Sequence, residues 1–454
     1  MCDHQIHVAV LAFPFASHPL ILLNLVKKLG ISEPNMKFSF FNTEKSNQML
    51  FSKVKIDGYD IKSFNVGDGI PNGYVFSGNP LEIIDFFVRA TPGNFRIGLE
   101  ECVEATGMKI NCLLTDAFLW FSGDFADEMG IPWVSFWTSG PCSLSIHMYS
   151  DTILEALVSK GEAQKKNSTL EFLPGMSAIE VKDVPDEVLQ KQEGKTFPDM
   201  LFKMGLKIPK AIAVILNSFD EIDPIVNSDL NSKLQKFLNI GPLILESRQS
   251  SQIDDQSGCL SWLDNQKNVS VVYISFGTSL TPPPPELQAI AEALESKRIP
   301  YLWSFRGDPK TFLLDEFFAK TSNFGKIVSW CPQFHVLGHS AIGAFVTQGG
   351  WSSVLESIRG GVPMICRPFF GEQKLNRKLI QDIWKIGVGL EGVIFTKNGM
   401  INALDTVFSS ENGSEMRKNI AKLRECGKKA VEENGSSTEN FRTLLEIIKS
   451  SPHS

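Results

Sequence analysis

A histidine and an aspartate each follow an apolar run of this chain, and together they could supply a general base and its orienting acid. His18 lies where the run His7–Phe13 turns into a helix predicted to begin at Pro19, and Asp116 ends the run CLLTD. A helix N-terminus keeps a nearby imidazole neutral, which suits a base. A carboxylate in apolar surroundings is costly unless it is paired. If the two runs are neighbouring parallel strands, His18 and Asp116 form a proton-accepting pair. The alternative is a helix-capping His18 without chemistry.

A second group of residues, between Trp330 and Gln373, could bind a nucleotide sugar. The flat ring of Trp330 can stack on a base, and Glu372–Gln373 can bind sugar hydroxyls. Between them, Gly349–Ser353 joins a predicted strand to a helix that runs through Glu356. Glycines let the backbone approach a phosphate, and the first N–H groups of a helix point at it. Gly-Gly before a helix is also a common strand–helix connection. The position of Gly349-Gly350 between Trp330 and Glu372–Gln373 in one stretch favours the nucleotide-sugar site over this alternative.

Motifs of other chemistries are missing from the sequence. It has no Asp-x-Asp, so we expect no carboxylate-held metal at a diphosphate and no cofactor; a helix dipole and neutral donors would bind the anion instead. The nearest run to a dinucleotide-binding Gly-x-Gly-x-x-Gly is the misspaced GDGIPNG at Gly67–Gly73. No Gly-x-Ser-x-Gly occurs. A nicotinamide oxidoreductase and a hydrolase are therefore set aside.

The elements that must position these residues alternate between strand-like and helix-like segments. Helices are predicted at Pro19–Lys28 and Pro285–Glu295 and in the tail to Lys449, with a break at Gly435–Ser437. Strands are predicted at His7–Phe13, Phe38–Phe41, Cys112–Thr115, Trp133–Trp137, Ala213–Asn217, Ser270–Ser275, Tyr301–Phe305, Ile327–Trp330 and Gly343–Thr347. The polar run Leu243–Gly258 is a linker candidate. This pattern predicts two doubly wound α/β domains facing across a cleft, with ligands beyond the carboxyl ends of the strands.

Composition narrows the class of protein further. With 454 residues, the chain is too long for one compact core. A net charge of -7 offers no basic face to nucleic acid or to an anionic membrane. The eight cysteines include no Cys-x-x-Cys, so neither a zinc site nor a disulfide framework is indicated, and a reducing cytoplasmic compartment fits. We interpret the apolar run His7–Phe15 as a buried strand rather than a signal peptide, and no apolar run reaches the ~20 residues of a membrane span.

The stretch Trp330–Gln373 resembles the donor-binding signature of plant family 1 UDP-sugar glycosyltransferases. The resemblance implies the GT-B fold of that family. It also implies that Trp330 stacks on uracil, that Cys331 and Gln333 contact the base, and that Glu356 binds ribose. The positions that it implies for the phosphates and the transferred sugar are Thr278, Ser304, Gln348, Trp351, Ser352, Ser353, Glu372 and Gln373.

Three positions depart from the family's pattern. Gln348 replaces a phosphate-contacting histidine, Ser352 replaces an asparagine, and Glu372 replaces an aspartate. A neutral amide forms weaker hydrogen bonds to phosphate than a charged donor, so a loss on the order of 1–2 kcal/mol of diphosphate binding is expected at Gln348. Glu372 keeps the acceptor but extends it by a methylene, which changes the sugar hydroxyl that it can reach.

The first half of the chain resembles one branch of that family. HVAVLAFPF, GYVFSGNP, CLLTDAFLWF and PWVSFWTSGP are similar to the flavonoid 3-O-glycosyltransferases, which include the anthocyanidin enzymes. His18 and Asp116 match the catalytic dyad of the family, in which the histidine deprotonates the acceptor hydroxyl. Thr138 matches a residue near the sugar. The acceptor-binding positions implied are His18, Leu81 and His147, with Leu81 replacing a glutamine.

The resemblance therefore implies an enzyme that transfers a hexose from a UDP-sugar to the 3-hydroxyl of a flavonol or anthocyanidin, with inversion. Gln373 favours glucose as the transferred sugar. Because Glu372 departs from the family's pattern, galactose and a pentose stay as alternatives. The alternative is a catalytically impaired paralogue that binds flavonoid or nucleotide without transfer. We expect a monomer without nucleic-acid partners or stable membrane insertion. The expected domains are 1–243 for the acceptor, a linker at 244–258, 259–435 for the UDP-sugar, and a C-terminal helix at 436–454 that packs back on the first domain.

Overall fold

A computed structural model describes residues 5–52, 54, 56, 58–158, 167–189, 196–243, 255–277, 281–409 and 411–450. These residues form two compact units. The first contains the described parts of Met1–Ser177, Asp186–Leu243 and Ala430–Ser454, and the second those of Ala178–Pro185 and Ile244–Lys429. Most of the linker candidate, residues 244–254, lies outside the described residues.

The first unit is built on a parallel sheet with the strand order β3-β2-β1-β4-β5-β6-β7 among the residues described. The strands are β1 His7–Leu11, β2 Lys37–Thr43, β3 Ile61–Val66, β4 Cys112–Asp116, β5 Trp133–Trp137, β6 Ala213–Leu216 and β7 Phe237–Asn239. The strand order reverses between β1 and β4, where Leu11 pairs with Thr115. In doubly wound sheets, ligands bind at this switch point, beyond the carboxyl ends of the strands.

Helices cover the sheet of the first unit. They are α1 His18–Ser32, α2 Glu44–Phe51, α3 Pro80–Ala90, α4 Gly93–Thr106, α5 Ser122–Met129, α6 Pro141–Met148, α7 Ser150–Val158, α8 Asp186–Leu189, α9 Thr196–Lys207, α10 Pro224–Lys233 and, from the end of the chain, α19 Ser436–Lys449. Because both faces of a parallel sheet are covered, its central strands are buried along their whole length. Every residue of β1 and β4 is accordingly buried.

The C-terminal helix α19 belongs to the first unit. Phe441, Leu444 and Ile448 join the core beneath β1, β2 and β4. The hydroxyl of Ser437 donates to the carbonyl of Gly241 at 2.5 Å. The amide of Asn440 donates to the carbonyl of Asn239 at 2.9 Å. These contacts attach the helix beside β7.

The second unit repeats the same architecture. Its sheet has the order β10-β9-β8-β11-β12-β13 among the residues described, with the switch point between β8 and β11. The strands are β8 Val271–Ile274, β9 Tyr301–Ser304, β10 Gly325–Val328, β11 Ile342–Thr347, β12 Met364–Cys366 and β13 Gly387–Gly389. The helices are α11 Cys259–Leu263, α12 Pro284–Lys297, α13 Asp315–Thr321, α14 Gln333–Leu337, α15 Trp351–Gly360, α16 Gln373–Lys378, α17 Lys397–Phe408 and α18 Asn412–Ala430.

Two differences from the sequence-based expectation concern Trp330 and the division into domains. The strand expected at Ile327–Trp330 is Gly325–Val328, which leaves Trp330 in the loop that follows it. Residues 178–185 lie in the second unit, although the linear division assigns them to the first domain. The reason is a buried ion pair, since Asp183 is 1% exposed and lies 3.2 Å from the guanidinium of Arg377. Among the helices that the structure describes, none is long and apolar enough to cross a membrane.

Candidate active site

His18 and Asp116 lie together at the switch point of the first sheet. The loop after β1 turns through Ala16, whose φ of 52° is left-handed, and delivers His18 as the first residue of α1. Asp116 is the last residue of β4, the neighbour of β1. The Nδ1 of His18 lies 2.7 Å from Oδ2 of Asp116, with the imidazole 15% and the carboxylate 1% exposed. The structure therefore brings the predicted pair into direct contact.

The carboxylate of Asp116 fixes which nitrogen of His18 can accept a proton. Its other oxygen, Oδ1, accepts from the backbone N–H of Phe118 at 3.0 Å, so both oxygens are held. The hydroxyl of Thr138 lies 3.3 Å from His18 Nδ1. A carboxylate can only accept, so the neutral imidazole donates from Nδ1, and Nε2 becomes its basic nitrogen. This is the tautomer that a general base needs.

Aromatic rings enclose the imidazole of His18. The ring of Phe118 lies 4.8 Å from it and the ring of Phe13 lies 5.3 Å from it, both centroid to centroid. Phe15 extends the cluster from Phe13 to Phe87 of α3. Sequence reasoning did not select Phe118, although it stands two residues after Asp116 in the motif CLLTDAFLWF. The rings restrict the imidazole and give the surroundings of His18 an apolar character suited to a planar ligand.

The two remaining acceptor candidates differ in their surroundings. Leu81 is 53% exposed in the first turn of α3. His147 is 6% exposed on α6, and its ring packs 5.2 Å from that of Trp137. Burial lowers the pKa of His147 to about 4, so this imidazole is neutral at physiological pH. The acceptor roles of Leu81 and His147 stay predictions.

In the second unit, a hydrogen-bonded cluster joins the residues expected at the base and the ribose. Gln333 accepts from the hydroxyl of Tyr273 at 2.9 Å and donates to Glu356 at 2.5 Å and to Ser353 at 3.3 Å. The thiol of Cys331 also lies 3.3 Å from the Tyr273 hydroxyl. Tyr273 was missed from the sequence because it stands inside the apolar run of β8. Trp330, next to this cluster, is 57% exposed, as an open stacking surface requires.

Glu356 has an unusual ionisation within this cluster. Burial of its carboxyl raises its pKa to about 7, and the hydrogen bond from Gln333 opposes part of that rise. A carboxyl group with this pKa changes charge near neutral pH. A ribose hydroxyl that donates to Glu356 would favour the ionised form.

The loop between β11 and α15 has the conformation expected of an anion site. Gly349 has a φ of 81° and Gly350 precedes the helix, which begins at Trp351. The first N–H groups of a helix have no acceptor within it, so those of the α15 first turn, which includes Ser352 and Ser353, are available to a phosphate. Trp351 itself is 3% exposed and packs 6.3 Å from Trp384. The indole therefore anchors the helix.

Gln348 lies at the switch point of the second sheet. It follows β11, and its amide nitrogen would lie 2.9 Å from a Cβ placed on Gly277, which comes shortly after β8. The amide oxygen accepts from the hydroxyl of Thr347 at 3.4 Å. The amide NH2 of Gln348 is thus beside the two loops at the carboxyl edge. Thr278 lies outside the described residues, and Ser304 ends β9 at the same edge.

The end of the signature is more buried than the sequence suggests. Gln373 is 4% exposed, and its side-chain oxygen accepts from the N–H groups of Phe369 at 2.8 Å and Phe370 at 3.4 Å. Glu372 precedes α16 and is partly exposed. Asn376, which sequence reasoning missed, donates to the carbonyl of Gly349 at 2.9 Å and connects α16 to the loop between β11 and α15. Within the described ranges, no group of three or more His, Cys, Asp or Glu side chains is placed to hold a metal.

Comparison with known proteins identifies the family. Residues 249–429 match the family model described as UDP-glucuronosyl and UDP-glucosyl transferase. A flavonol 3-O-glucosyltransferase of Actinidia chinensis var. chinensis is 50% identical over 100% of this chain and 99% of its own. The chain belongs to the UDP-glucuronosyl and UDP-glucosyl transferase family.

Other members of this UDP-glycosyltransferase family also match the chain over nearly its whole length. An anthocyanidin 3-O-galactosyltransferase of the same plant is 47% identical over 98% of this chain and 97% of its own. A crystal structure of a UDP-glucose:anthocyanidin 3-O-glucosyltransferase in complex with UDP superposes with a TM-score of 0.92 at 42% identity, over 99% of this chain and 100% of that one. The predicted enzyme class and the GT-B fold, with its two Rossmann-like parallel-sheet units, are confirmed.

Proposed function

We propose that this enzyme transfers a hexose from a UDP-sugar to the 3-hydroxyl of a flavonoid, with inversion at the anomeric carbon. The contact that carries the proposal is the 2.7 Å distance between His18 Nδ1 and Asp116 Oδ2 at the switch point of the first sheet. The names of the two Actinidia relatives support the flavonoid 3-hydroxyl as the acceptor.

On the acceptor side, Nε2 of His18 removes the proton from the hydroxyl. The imidazolium that forms is stabilised by Asp116, whose carboxylate also keeps the ring in place. The alkoxide then attacks the anomeric carbon from the face opposite UDP, so the glycosidic C–O bond forms as the C–O bond to the diphosphate breaks. A positioned base contributes roughly 10²- to 10⁴-fold to the rate.

On the donor side, we propose that UDP is bound without a metal ion. The N-terminus of α15 and the amide of Gln348 supply the positive potential and the hydrogen bonds that the leaving diphosphate needs. Trp330 stacks on the uracil, and the cluster of Gln333 and Glu356 binds the base and the ribose. The test is the rate in the presence of excess EDTA, which should equal the rate in its absence. A rate restored only by Mg²⁺ or Mn²⁺ would contradict this proposal.

Glucose is the sugar that we propose, with galactose as the second candidate. Gln373 supports glucose through the family resemblance, and Glu372 in place of an aspartate is the reason to keep galactose. One Actinidia relative is named as a glucosyltransferase and the other as a galactosyltransferase at 50% and 47% identity, so overall similarity does not separate the two sugars.

The deciding experiment is an endpoint assay by mass spectrometry with quercetin and cyanidin and a panel of UDP-sugars. A product heavier by one hexose and substituted at the 3-oxygen would establish the reaction and identify the donor. The competing function is that of an impaired paralogue, which the substitution at Gln348 motivates. Folded protein that binds flavonoid yet forms no product with any donor would support it.

We also propose that the enzyme acts in the cytoplasm as a monomer. The described cysteines are free thiols, as a reducing compartment requires. Sedimentation at micromolar concentration tests the monomer.

A further inference from the structure

A buried ion pair lies directly behind the loop that joins β12 to Gln373. Arg367 is the first residue after β12, and Glu286 lies in the first turn of α12. The guanidinium contacts both oxygens of the carboxylate, through Nε at 3.0 Å and Nη2 at 2.5 Å. The two side chains are 12% and 10% exposed. Two parallel hydrogen bonds of this kind fix the orientation of the guanidinium.

The ion pair is attached to the rest of the unit on both sides. Glu286 also accepts from the backbone N–H of Phe395 at 2.9 Å. The N–H of Arg367 donates to the carbonyl of Thr347 at 3.0 Å, which extends the sheet beyond β12. Arg367 is therefore held by its backbone to β11 and by its side chain to α12. The loop Pro368–Glu372 therefore starts from a residue that is hydrogen-bonded on two sides.

A short chain of contacts leads from Arg367 to Gln373. The guanidinium lies over the ring of Phe369, 3.9 Å from its centroid. The N–H of the same Phe369 donates to the side-chain oxygen of Gln373 at 2.8 Å, and that of Phe370 does so at 3.4 Å. Because two N–H donors select the oxygen of the amide, the NH2 group of Gln373 must be directed away from the loop. The ion pair thus determines where that NH2 group points.

We propose that Arg367, held by Glu286, is a positioning residue for sugar discrimination, acting through Phe369 and the amide of Gln373. This inference rests on the proposed function in one respect, namely that Gln373 contacts the transferred sugar. Arg367 itself contacts Pro368 and Phe369 of the loop that leads to Gln373. A hydrogen-bonding group rejects an ill-fitting hydroxyl only if its direction is fixed, so a looser loop should lower the selectivity between sugars that differ in one hydroxyl.

The test compares the dissociation constants of UDP, UDP-glucose and UDP-galactose by calorimetry for the intact wild type and Arg367→Lys. Lysine keeps the charge but not the bidentate contact or the stacking on Phe369. In Arg367→Lys, we expect the ratio of the UDP-galactose and UDP-glucose dissociation constants to come about five-fold closer to one. Residues of one hydrogen-bonded network commonly affect each other by this amount. The constant for UDP should stay within about two-fold, because the base and ribose cluster at Gln333 is untouched.

Arg417→Lys is the matched control. Arg417 is also partly buried in the second unit, and it donates to the carbonyls of Val407 and Gly343, at the other end of β11. We expect the melting temperature of Arg417→Lys to fall as much as that of Arg367→Lys. The ratio of its UDP-glucose and UDP-galactose dissociation constants should stay at the wild-type value. An equal change of ratio in both variants, or an unchanged ratio in Arg367→Lys, would overturn the proposal.

A double variant tests the route. If Arg367 acts through Gln373, Arg367→Lys should have no further effect on the ratio in a Gln373→Ala background; additive effects would refute the route. Glu286→Gln should move the ratio in the same direction as Arg367→Lys. Because the readout is binding, a wild type that binds UDP-sugars selectively without transferring them would refute the proposed function alone. A wild type with equal affinity for both sugars would overturn the inference.

Discussion

Replacing Gln348 with histidine restores a donor that can carry a charge at the phosphate loop. In the structure, the amide nitrogen of Gln348 lies beside Gly277, where the ends of β8 and β11 meet. An imidazole at this position would reach the same space with one ring N–H. Its advantage over the amide is the positive charge that it acquires when protonated, since hydrogen bonds from a charged donor are about twice as strong as neutral ones.

The expected gain in UDP affinity follows from that difference. A neutral hydrogen bond contributes about 1 kcal/mol and a charged one about 1.5–3 kcal/mol, so protonation of the new imidazole should add roughly 1–2 kcal/mol. This corresponds to a dissociation constant for UDP that is about 5- to 30-fold lower. An imidazole has an ordinary pKa of about 6.5, so the gain should be large at pH 6 and small at pH 8.

The assay is titration calorimetry of UDP into wild type and Gln348→His at pH 6, 7 and 8. The ratio of the two dissociation constants at each pH cancels the ionisation of UDP itself. Gln348→Asn, which keeps the amide and shortens its reach, is the control and should bind UDP more weakly at every pH. A ratio near one at pH 6 would show that position 348 does not face the diphosphate, and it would refute this assignment.

Three further predictions concern the acceptor base, the uracil site and the ribose site. His18→Ala should lower kcat by at least ~10²-fold, because a positioned base is lost, and leave the UDP constant unchanged; turnover within a few-fold of wild type would exclude the base. Trp330→Ala should weaken UDP binding by about 1–3 kcal/mol of stacking without lowering the melting temperature, since the ring is 57% exposed. Burial raises the pKa of the Glu356 carboxyl to about 7, so the folded state binds this proton more tightly than the unfolded state does. The free energy of unfolding of the unliganded wild type should therefore fall as the pH rises from 4.5, the ordinary pKa of a glutamate, to about 7. Glu356→Gln should lose less stability over this range. An equal loss in both proteins would contradict the assignment.

Much of the fold was predictable because it depends on local patterns. The buried parallel strands at β1, β4, β5, β8 and β11 are apolar runs, and their helices begin at recognisable prolines and glycines. β3 was missed because it is an edge strand that is buried only at its two ends, and β7, β12 and β13 because they have only three residues each. Short and half-exposed strands depend on neighbours that are distant in sequence, so a local pattern does not reveal them.

Residue types and their order along the chain were enough to identify the chemistry that this protein can offer. His18, Asp116 and Trp330 were identifiable from their types and their places at the ends of strands, since parallel strands bring their carboxyl ends to one edge. Glu356 was identifiable from its place in the helix that follows β11. Tertiary structure decided how these groups are held. Several of these contacts join residues that are far apart in the chain. They are the hydrogen bond from Tyr273 to Gln333, the ion pair of Arg377 with Asp183 in the second unit, and the series of contacts from Glu286 to Gln373. Such contacts are set by the packing of one element on another, which no single segment encodes.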